Sequence, residues 1–345
     1  MSADRGSRVD LFRVDLPRVD LHSHAGRCFL AGLPAGHSAV ATMGAPTVAG
    51  AVRSAQAAGV TALVLAAVAD FAVLRPDPAA GLRAHRDFRA GEAYADTQRQ
   101  LAGIRQAVAE AGAQVATSAA DLDRAARDGR TAVLLGCEGG DFLEGNLGRL
   151  EEARAAGLTV LTLVHYRVSD IGDVQTEKPV HEGLSRFGRD VVAECNRLGI
   201  VVDCAHASLA TTMAALEASS QPVIISHGQL GHAETVYPDT GHPRLMSARH
   251  AAAVAEAGGL VGAWPCGITS RSLADFGTEI IRLAEAAGPD HVAIGTDLDG
   301  NYRPVLTGYD QLDDLTGLLR DRGLPTARIQ QILGSNALEF LARVL

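Results

Sequence analysis

The sequence has few aromatic residues, little positive charge and a single lysine. Phe, Trp and Tyr make up 4% of the 345 residues, whereas hydrophobic residues make up 47%, a balance typical of a globular protein with an aliphatic core. The formal net charge is −9 and no basic run occurs, which argues against a nucleic-acid-binding surface. No apolar run is long enough to span a bilayer. We therefore expect neither a nucleic-acid nor a membrane partner.

The cysteines and the N-terminus predict where in the cell the protein resides. The five cysteines are scattered, odd in number and form no Cys-x-x-Cys pair, which disfavours a disulfide framework. Charged residues between positions 4 and 10 leave no room for the apolar segment of a secretion signal. These features predict a reduced, cytoplasmic protein. Residues 1–17 are predicted to be an N-terminal extension, and 18–345 a single domain.

One pattern recurs along the chain: a glycine that ends a helix is followed by an apolar strand. Gly59 and Gly157, for example, lead into the apolar runs 60–68 and 158–164. Continuous apolar strands that alternate with amphipathic helices predict a parallel sheet covered by helices.

Eight strands are predicted, at 18–22, 60–68, 131–137, 158–164, 199–204, 222–226, 259–263 and 291–296. Helices are predicted at 47–57, 92–111, 118–128, 146–156, 186–198, 208–218, 247–257, 272–287, 309–320 and 326–342. Eight strand–helix units favour a (β/α)8 TIM barrel over a doubly wound sheet. The segment 114–117 is compatible with a further small strand, whose place in the sheet the sequence does not give.

The connections between the predicted elements are unequal in length. Helix-to-strand turns are short, whereas four strand-to-helix connections are long, at 69–91, 165–185, 228–246 and 264–271. In a TIM barrel the strand-to-helix loops all lie on the face where active sites are found. The lengths therefore predict that one face of the barrel carries the function.

Histidines and acids follow the predicted strands at this same end. They are His22 and His24 on strand one, Glu138 on three, His165 on four, His206 on five, His227 on six and Asp297 on eight. Positions i and i+2 of a strand point to one side, so His22 and His24 can converge. A lone buried histidine is more often a core residue than a ligand, but five at one end of the barrel indicate a metal site.

This ligand set suits two divalent metal ions, zinc first among them. Two ions about 3.5–4 Å apart need a bridging anion. Some barrel hydrolases use a carbamylated lysine, but the only lysine, Lys178, lies in a Glu-Lys-Pro loop segment. Glu138 is therefore the predicted bridge, because the glycines that follow it allow backbone and metal to approach closely.

The motifs, taken in order, resemble those of the renal (membrane) dipeptidase family of the amidohydrolase superfamily, a group of binuclear metal barrels. They are His-x-His, Cys-Glu-Gly-Gly, Leu-Thr-Leu-x-His, Gly-Leu-Ser-x-Phe-Gly, Asp-x-Ala-His-x-Ser, Ser-His and Gly-x-Asp-x-Asp-Gly. The resemblance runs from about residue 18 to residue 341. It implies a hydrolase that cleaves the amide bond of dipeptides, or of similar small carboxylate-bearing amides, through a metal-bridging hydroxide.

The resemblance also implies a role for each residue. His22, His24 and Glu138 would hold one metal ion, and Glu138, His206 and His227 the other. Asp297 would be both a metal ligand and the acid/base beside the bridging hydroxide, and His165 would bind the substrate and steady the oxyanion. Arg244 would bind the substrate carboxylate, although a solvated loop arginine is the alternative.

Two positions depart from the family pattern. His24 stands where family members commonly have Asp, which removes a negative charge from the metal shell and should make the bridging water more acidic. Leu245 stands where an Asn is common.

Two alternatives stay open: an amidohydrolase that acts on another small amide or lactone, and a metal-binding barrel without catalysis, against which the presence of Asp297 argues. A homodimer is compatible with the sequence.

Several other polar residues have open roles. Asp20 either supports His22 or lies on the surface, and Asp203 is a candidate partner for an imidazole. Asp299 is expected to stabilise its loop. Three residues of the loop 228–246 could touch substrate, namely His232, Tyr237 and His242.

Overall fold

Eight parallel strands close into a barrel in the computed structural model, which describes residues 16–78, 81–231 and 242–345. The strands are β1 (Val19–Ser23), β2 (Ala62–Val68), β3 (Ala132–Glu138), β4 (Leu158–Thr162), β5 (Val201–Asp203), β6 (Ile224–Leu230), β7 (Leu260–Ala263) and β8 (Val292–Ile294). Each strand pairs in parallel with the next, and β8 pairs with β1. The predicted (β/α)8 TIM barrel is therefore confirmed. The proposed N-terminal extension lies almost wholly outside the described residues, so its boundary stays a prediction.

Helices surround the barrel within the described part of the chain. They are Ser38–Met43, Val48–Ala57, Glu92–Glu110, Ala119–Arg127, Gly148–Ala155, Arg186–Leu198, Leu209–Ala218, Ala248–Glu256, Leu273–Ala287, Leu312–Asp321, Thr326–Gln330 and Asn336–Val344. Five of them begin at a serine whose side chain accepts a hydrogen bond from the first helical turn: Ser118, Ser185, Ser208, Ser247 and Ser272. None of the described helices combines the length and apolarity needed to cross a membrane.

The last predicted helix differs from the structure. A π-helical turn, Gln331–Ser335, separates its two α-helical parts. A Cβ atom at Gly334 would lie 2.1 Å from the carbonyl oxygen of Pro17. The widened turn thus lies where the chain that enters β1 packs directly against the helix.

Alternate residues of the strands divide the core into two layers. Leu21, Val64 and Leu134 belong to the inner cluster, which fills the barrel, and Phe340 and Leu341 of the last helix join it. The neighbouring strand residues belong to the outer cluster, which packs against the surrounding helices. The apolar interior is thus covered at one end by the last helix, and the polar strand-end residues lie at the other.

Short additional strands extend the sheet. Gln114–Val115 pairs with Ala132 and Val133 of β3, below the point where β4 begins its own pairing at Leu135. This confirms the extra strand and gives its place. The loop 69–91 contains an unpredicted antiparallel hairpin, Leu74–Asp77 with Gly81–Ala84.

The sixth strand is longer than predicted. It continues to Leu230 because Leu245–Met246 pairs in parallel with Gln229 and Leu230. The predicted end at residue 226 is therefore wrong, and a length of chain that looked like loop belongs to the sheet. This pairing also fixes the backbone next to Arg244.

Bulges interrupt β1 and β6, and they contain His22 and His227. Asp20 pairs with Leu63 and Ser23 with Leu65, so three residues of β1 oppose two of β2. The extra residue lets both Leu21 and His22 reach the barrel interior, which strict alternation would forbid.

The bulge in β6 depends on two glycines. Ile225 pairs with Val261 and Gly228 with Ala263, again three residues against two. A Cβ atom at Gly262 or Gly295 would lie 1.8 Å from the carbonyl oxygen of Ser226. Only glycine leaves room for this oxygen, so the two glycines allow the bend that presents His227.

Candidate metal centre

Glu138, the last residue of β3, lies among four imidazoles. Its Oε1 is 2.9 Å from His206 Nε2, 3.4 Å from His22 Nε2 and 3.6 Å from His227 Nε2. Its Oε2 is 3.1 Å from His24 Nε2. All five side chains are buried. The structure therefore brings together five of the six residues predicted as metal ligands, and the sixth, Asp297, lies beside them.

These side chains form two groups that share Glu138. His22, His24 and Glu138 form one and Glu138, His206 and His227 the other, and in each the ligand atoms lie within 4.8 Å of one another. Four imidazole nitrogens and a carboxylate are the donor chemistry of zinc and similar divalent ions. The donor set thus fits two ions with a shared carboxylate.

Hydrogen bonds on the far side of the rings orient two of the imidazoles. His24 Nδ1 donates to the carbonyl oxygen of Ala66 at 2.9 Å, and His227 Nδ1 lies 3.1 Å from Ser226 Oγ. Ser226 in turn donates to Asp203 at 2.7 Å. Both Nε2 atoms therefore face the centre. Asp203 supports an imidazole through Ser226, which is the role expected of it.

Burial and charge set the protonation of the cluster. Burial lowers the pKa of His22 to about 3 and holds the pKa values of His206 and His227 well below their ordinary range. Burial opposes ionisation of Glu138, but the neighbouring imidazoles outweigh it and lower the pKa of this carboxyl. His22, His206 and His227 are therefore neutral beside an ionised carboxylate.

Burial opposes protonation of His24, but its hydrogen bonds with Cys28 and Glu138 and the charges of Glu138 and Asp297 outweigh burial and raise the pKa of His24. A cation bound at His24 would therefore displace a proton from this ring.

Asp297 lies beside this cluster after the end of β8. Its backbone N–H donates to the carbonyl of His22 at 2.9 Å, and its Oδ1 is 3.5 Å from His24 Nε2. Its Oδ2 accepts a hydrogen bond from the indole of Trp264 at 3.2 Å. Burial raises the pKa of Asp297 to about 7. A carboxyl with this pKa can both take and give a proton near neutral pH.

His165 approaches the same carboxylate from β4. Its Nε2 is 3.2 Å from Glu138 Oε2, and its Nδ1 is 2.6 Å from Asp70 Oδ1. Burial would lower the pKa of His165, but the charges of Asp70 and Glu138 outweigh it and raise the pKa. The Asp70 contact fixes the ring so that Nε2 points into the site.

Arg244 is buried, with only 2% of its surface exposed. Its Nη1 donates to Gln175 Oε1 at 2.6 Å, and its guanidinium carbon lies 5.0 Å from the centre of the Trp264 ring. Its Nε and Nη2 have no hydrogen-bond partner among the described residues. The alternative of a solvated loop arginine is therefore wrong, and one edge of the guanidinium is available to a ligand.

Two residues of the site escaped the sequence analysis. Asp70 follows β2 by two residues and Trp264 follows β7 directly. Both occupy the same end of the barrel as the histidines. His165 and Asp297 were selected because each is a polar residue where an apolar strand ends. The same rule, applied to β2 and β7 and extended to aromatic residues, would have found Asp70 and Trp264.

Asp20 is buried rather than on the surface, and it supports the bulge in β1. Its carboxylate accepts hydrogen bonds from the backbone of Thr296 at 2.8 Å, from Tyr309 Oη at 2.8 Å and from the backbone of His22 at 3.2 Å. Of its two predicted alternatives, support of His22 is confirmed.

The remaining candidates lie at the edge of the site. Asp299 accepts the backbone N–H of Gly26 at 2.7 Å, which confirms its role in stabilising a loop. His242 Nδ1 accepts a backbone N–H two residues further along at 3.2 Å. His232 and Tyr237 lie outside the described residues, so their contact with substrate stays a prediction.

Comparison with known sequences gives a consistent result. The sequence profile described as membrane dipeptidase (peptidase family M19) matches residues 66–344. Dipeptidase tcpJ of Claviceps purpurea is 31% identical over 238 residues, which are 67% of this chain and 55% of the relative. Dipeptidase aclJ of Aspergillus oryzae is 31% identical over 226 residues, 63% of this chain and 52% of the relative. The chain thus spans about half the length of these curated relatives.

Solved structures share the fold. A metallopeptidase from Rhodobacter sphaeroides, liganded with a phosphinate mimic of the dipeptide L-Ala-D-Ala, superposes with a TM-score of 0.76 at 22% identity, over 96% of this chain and 99% of that one. A structure described as dipeptidase AC, a metallopeptidase, gives a TM-score of 0.77 at 22% identity, over 95% and 98% of the two chains.

Proposed function

The chain belongs to the membrane dipeptidase family, peptidase family M19, and we propose that it is a dipeptidase that works with two divalent metal ions, zinc in the first place. Its substrates are dipeptides or similar small amides that carry a carboxylate. The observation that supports this most is the carboxylate of Glu138 shared by two histidine pairs, with the free edge of Arg244 close by.

The two ligand groups would each hold one ion, with Glu138 as the bridge. Two divalent ions at such a site lower the pKa of a shared water and polarise the carbonyl of the scissile amide. The neutral His22, His206 and His227 and the ionised Glu138 are already in the protonation states that ligation requires, whereas His24, whose pKa is raised, would release a proton on ligation.

Asp297 is the proposed proton carrier. Its Oδ1 faces the cluster. Because its pKa is about 7, Asp297 can both accept and donate a proton at neutral pH. It therefore takes a proton from the attacking water and delivers it to the nitrogen of the leaving amine.

His165 is the proposed donor to the oxygen of the scissile carbonyl. Its raised pKa favours the imidazolium, and its Nε2 points towards the cluster while Asp70 holds Nδ1. Negative charge that develops on the carbonyl oxygen would thus meet a fixed donor.

Arg244 is the proposed carboxylate receptor. Nε and Nη2 lie on one edge of the guanidinium and can bind both oxygens of a carboxylate side by side. Gln175 and Trp264 hold the other parts of the group.

A substrate panel tests this function. The zinc-loaded protein should hydrolyse dipeptides, and C-terminal amides of the same dipeptides should lose about 100-fold in kcat/KM, because the charged hydrogen bonds to Arg244 are absent. Arg244→Leu should lose a similar factor on the free dipeptides and little on the amides. The exposed Arg271 provides the matched control, and Arg271→Leu should behave as the parent.

Other outcomes of the panel favour the alternatives. Turnover of lactones or of amides without a carboxylate, with no cleavage of dipeptides, would assign the chain to another amidohydrolase reaction. No turnover by protein that holds both ions would indicate a barrel that binds metal without catalysis.

A further inference from the structure

We propose that Trp264 is a positioning residue that holds Asp297 and Arg244 at the same time, and so fixes the distance between the proton carrier and the carboxylate receptor. This inference rests on the proposed function, because it concerns the same site. Trp264 is the one tryptophan of the 345-residue sequence, and it is 3% exposed.

The backbone of Trp264 is fixed by the barrel. It follows β7 directly, and its N–H donates to the carbonyl of Gly228 at 3.1 Å. Its ring packs edge-to-face on His227, with 5.5 Å between the ring centres. The indole therefore has a defined position relative to the metal cluster.

The indole N–H fixes the orientation of the Asp297 carboxylate. It donates to Oδ2 at 3.2 Å, and an indole nitrogen can only donate. This hydrogen bond occupies Oδ2 and turns Oδ1 towards His24, so Oδ1 is the oxygen left for the proton transfer proposed above. Oδ1 takes one proton from the water as the water oxygen bonds to the carbonyl carbon, and it passes this proton to the leaving nitrogen as the C–N bond breaks. Asp297 returns to the carboxylate, and the indole keeps its own proton throughout.

The face of the same ring supports Arg244. The guanidinium carbon lies 5.0 Å from the ring centre, within the range of a cation–π contact. Gln175 holds Nη1, so the ring and the amide leave the Nε–Nη2 edge free. The two functions of Trp264 use different parts of the side chain and can be removed separately.

Two substitutions separate these functions. Trp264→Phe keeps a ring beneath Arg244 but removes the N–H, so we expect kcat on a dipeptide to fall about tenfold, with KM within about twofold of the parent. Trp264→Leu removes both and should also raise KM about tenfold. Tyr94→Phe, which removes an aromatic donor from Glu152 in the outer helices, is the matched control and should leave both constants unchanged.

A merely structural role predicts a different result. Both Trp264 variants would then lose activity in proportion to lost folding stability, with the same KM. Variants that hold two metal ions and unfold like the parent, yet have parental kcat for Trp264→Phe or parental KM for Trp264→Leu, would overturn the inference.

Fluorescence keeps the inference testable if the parent cleaves no dipeptide, an outcome that would count against the proposed function alone. Because Trp264 is the single tryptophan, its emission should change in Asp297→Ala, which removes the hydrogen-bonded carboxylate. Asp299→Ala, which removes a nearby carboxylate bound to Gly26 instead, should leave the emission unchanged. Parental emission in Asp297→Ala would contradict the proposed contact.

Discussion

The chemistry of single residues here depends on which side-chain atoms are already bonded. Ala66 occupies Nδ1 of His24 and Asp70 occupies Nδ1 of His165, so both rings present Nε2 to the centre. Gln175 occupies one nitrogen of Arg244 and leaves an edge free. Each of these three groups is thus held through one atom and can act through another.

Asp297→Asn tests the proton carrier. The amide keeps the size of the side chain and can still accept from Trp264, but it cannot take a proton. We expect most of the metal to stay bound and kcat to fall about 10²–10⁴-fold. Metal analysis and steady-state kinetics on one preparation measure both effects. Near-parental turnover with metal retained would remove Asp297 from the mechanism.

Asp70→Asn tests the support of His165. The negative charge of Asp70 raises the pKa of His165, so its removal should lower that pKa and deprotonate the ring at a lower pH. Since His165 must be protonated to donate, the alkaline limb of the kcat profile should move to lower pH. Asp96→Asn is the control, because the Asp96 carboxylate pairs with Arg99 on an outer helix. An unmoved alkaline limb would show that Asp70 does not set this equilibrium.

At the scale of strands and loops, small irregularities place the ligands. Without the bulge in β1, His22 would lie on the opposite face from Leu21 and outside the barrel. The bulge in β6 similarly presents His227 and turns the Ser226 carbonyl towards Gly262 and Gly295. The metal centre therefore depends on local departures from the regular strand.

Gly262→Ala tests the bulge in β6. The new Cβ would lie 1.8 Å from a backbone oxygen that cannot move aside without shifting β6, so the free energy of unfolding should fall by about 3 kcal/mol. Gly317→Ala is the control, because nothing lies within 4 Å of its new Cβ in a helix. It should gain up to about 1 kcal/mol in denaturant unfolding. Equal stability of the two variants would contradict this role of Gly262.

Glu279 links stability to pH at the end of β6. Burial raises the pKa of this carboxyl from 4.5 to about 7, although it accepts the backbone N–H of Leu230 and pairs with Arg282. A raised carboxyl pKa contributes stability that is present below pH 4.5 and lost as the pH rises through about 7. Glu279→Gln should flatten this slope in unfolding measurements between these pH values, whereas the exposed Glu285→Gln should not. An unchanged slope in Glu279→Gln would assign the pH dependence to other groups.

Sequence reasoning reached the strands and the metal ligands because both leave local signals. An apolar run followed by a histidine marks a strand and its functional end in the same few residues. The supporting contacts leave no such signal: Asp70 and His165 are 95 residues apart, and Trp264 and Asp297 are 33 apart. The bulges escaped prediction too, because the alternation argument assumes an unbroken strand.

For the whole molecule, the closed barrel makes the site possible. The side chains around Glu138 come from β1 and β6 and from the segments that follow β1, β4, β5 and β8. Only a closed ring of strands brings these distant segments to one point. The expected cytoplasmic location, the absence of nucleic-acid partners and the homodimer stay predictions at this scale.

We propose that two metal ions share Glu138 and that both are needed for dipeptide hydrolysis. Stepwise zinc addition to chelator-stripped protein tests it most directly, with the initial rate and the bound zinc measured at each step. We predict that the rate reaches its plateau at two ions per chain, and that Glu138→Ala binds neither ion stably because each loses a ligand. A plateau at one ion per chain, or full activity in stripped protein, would contradict the account.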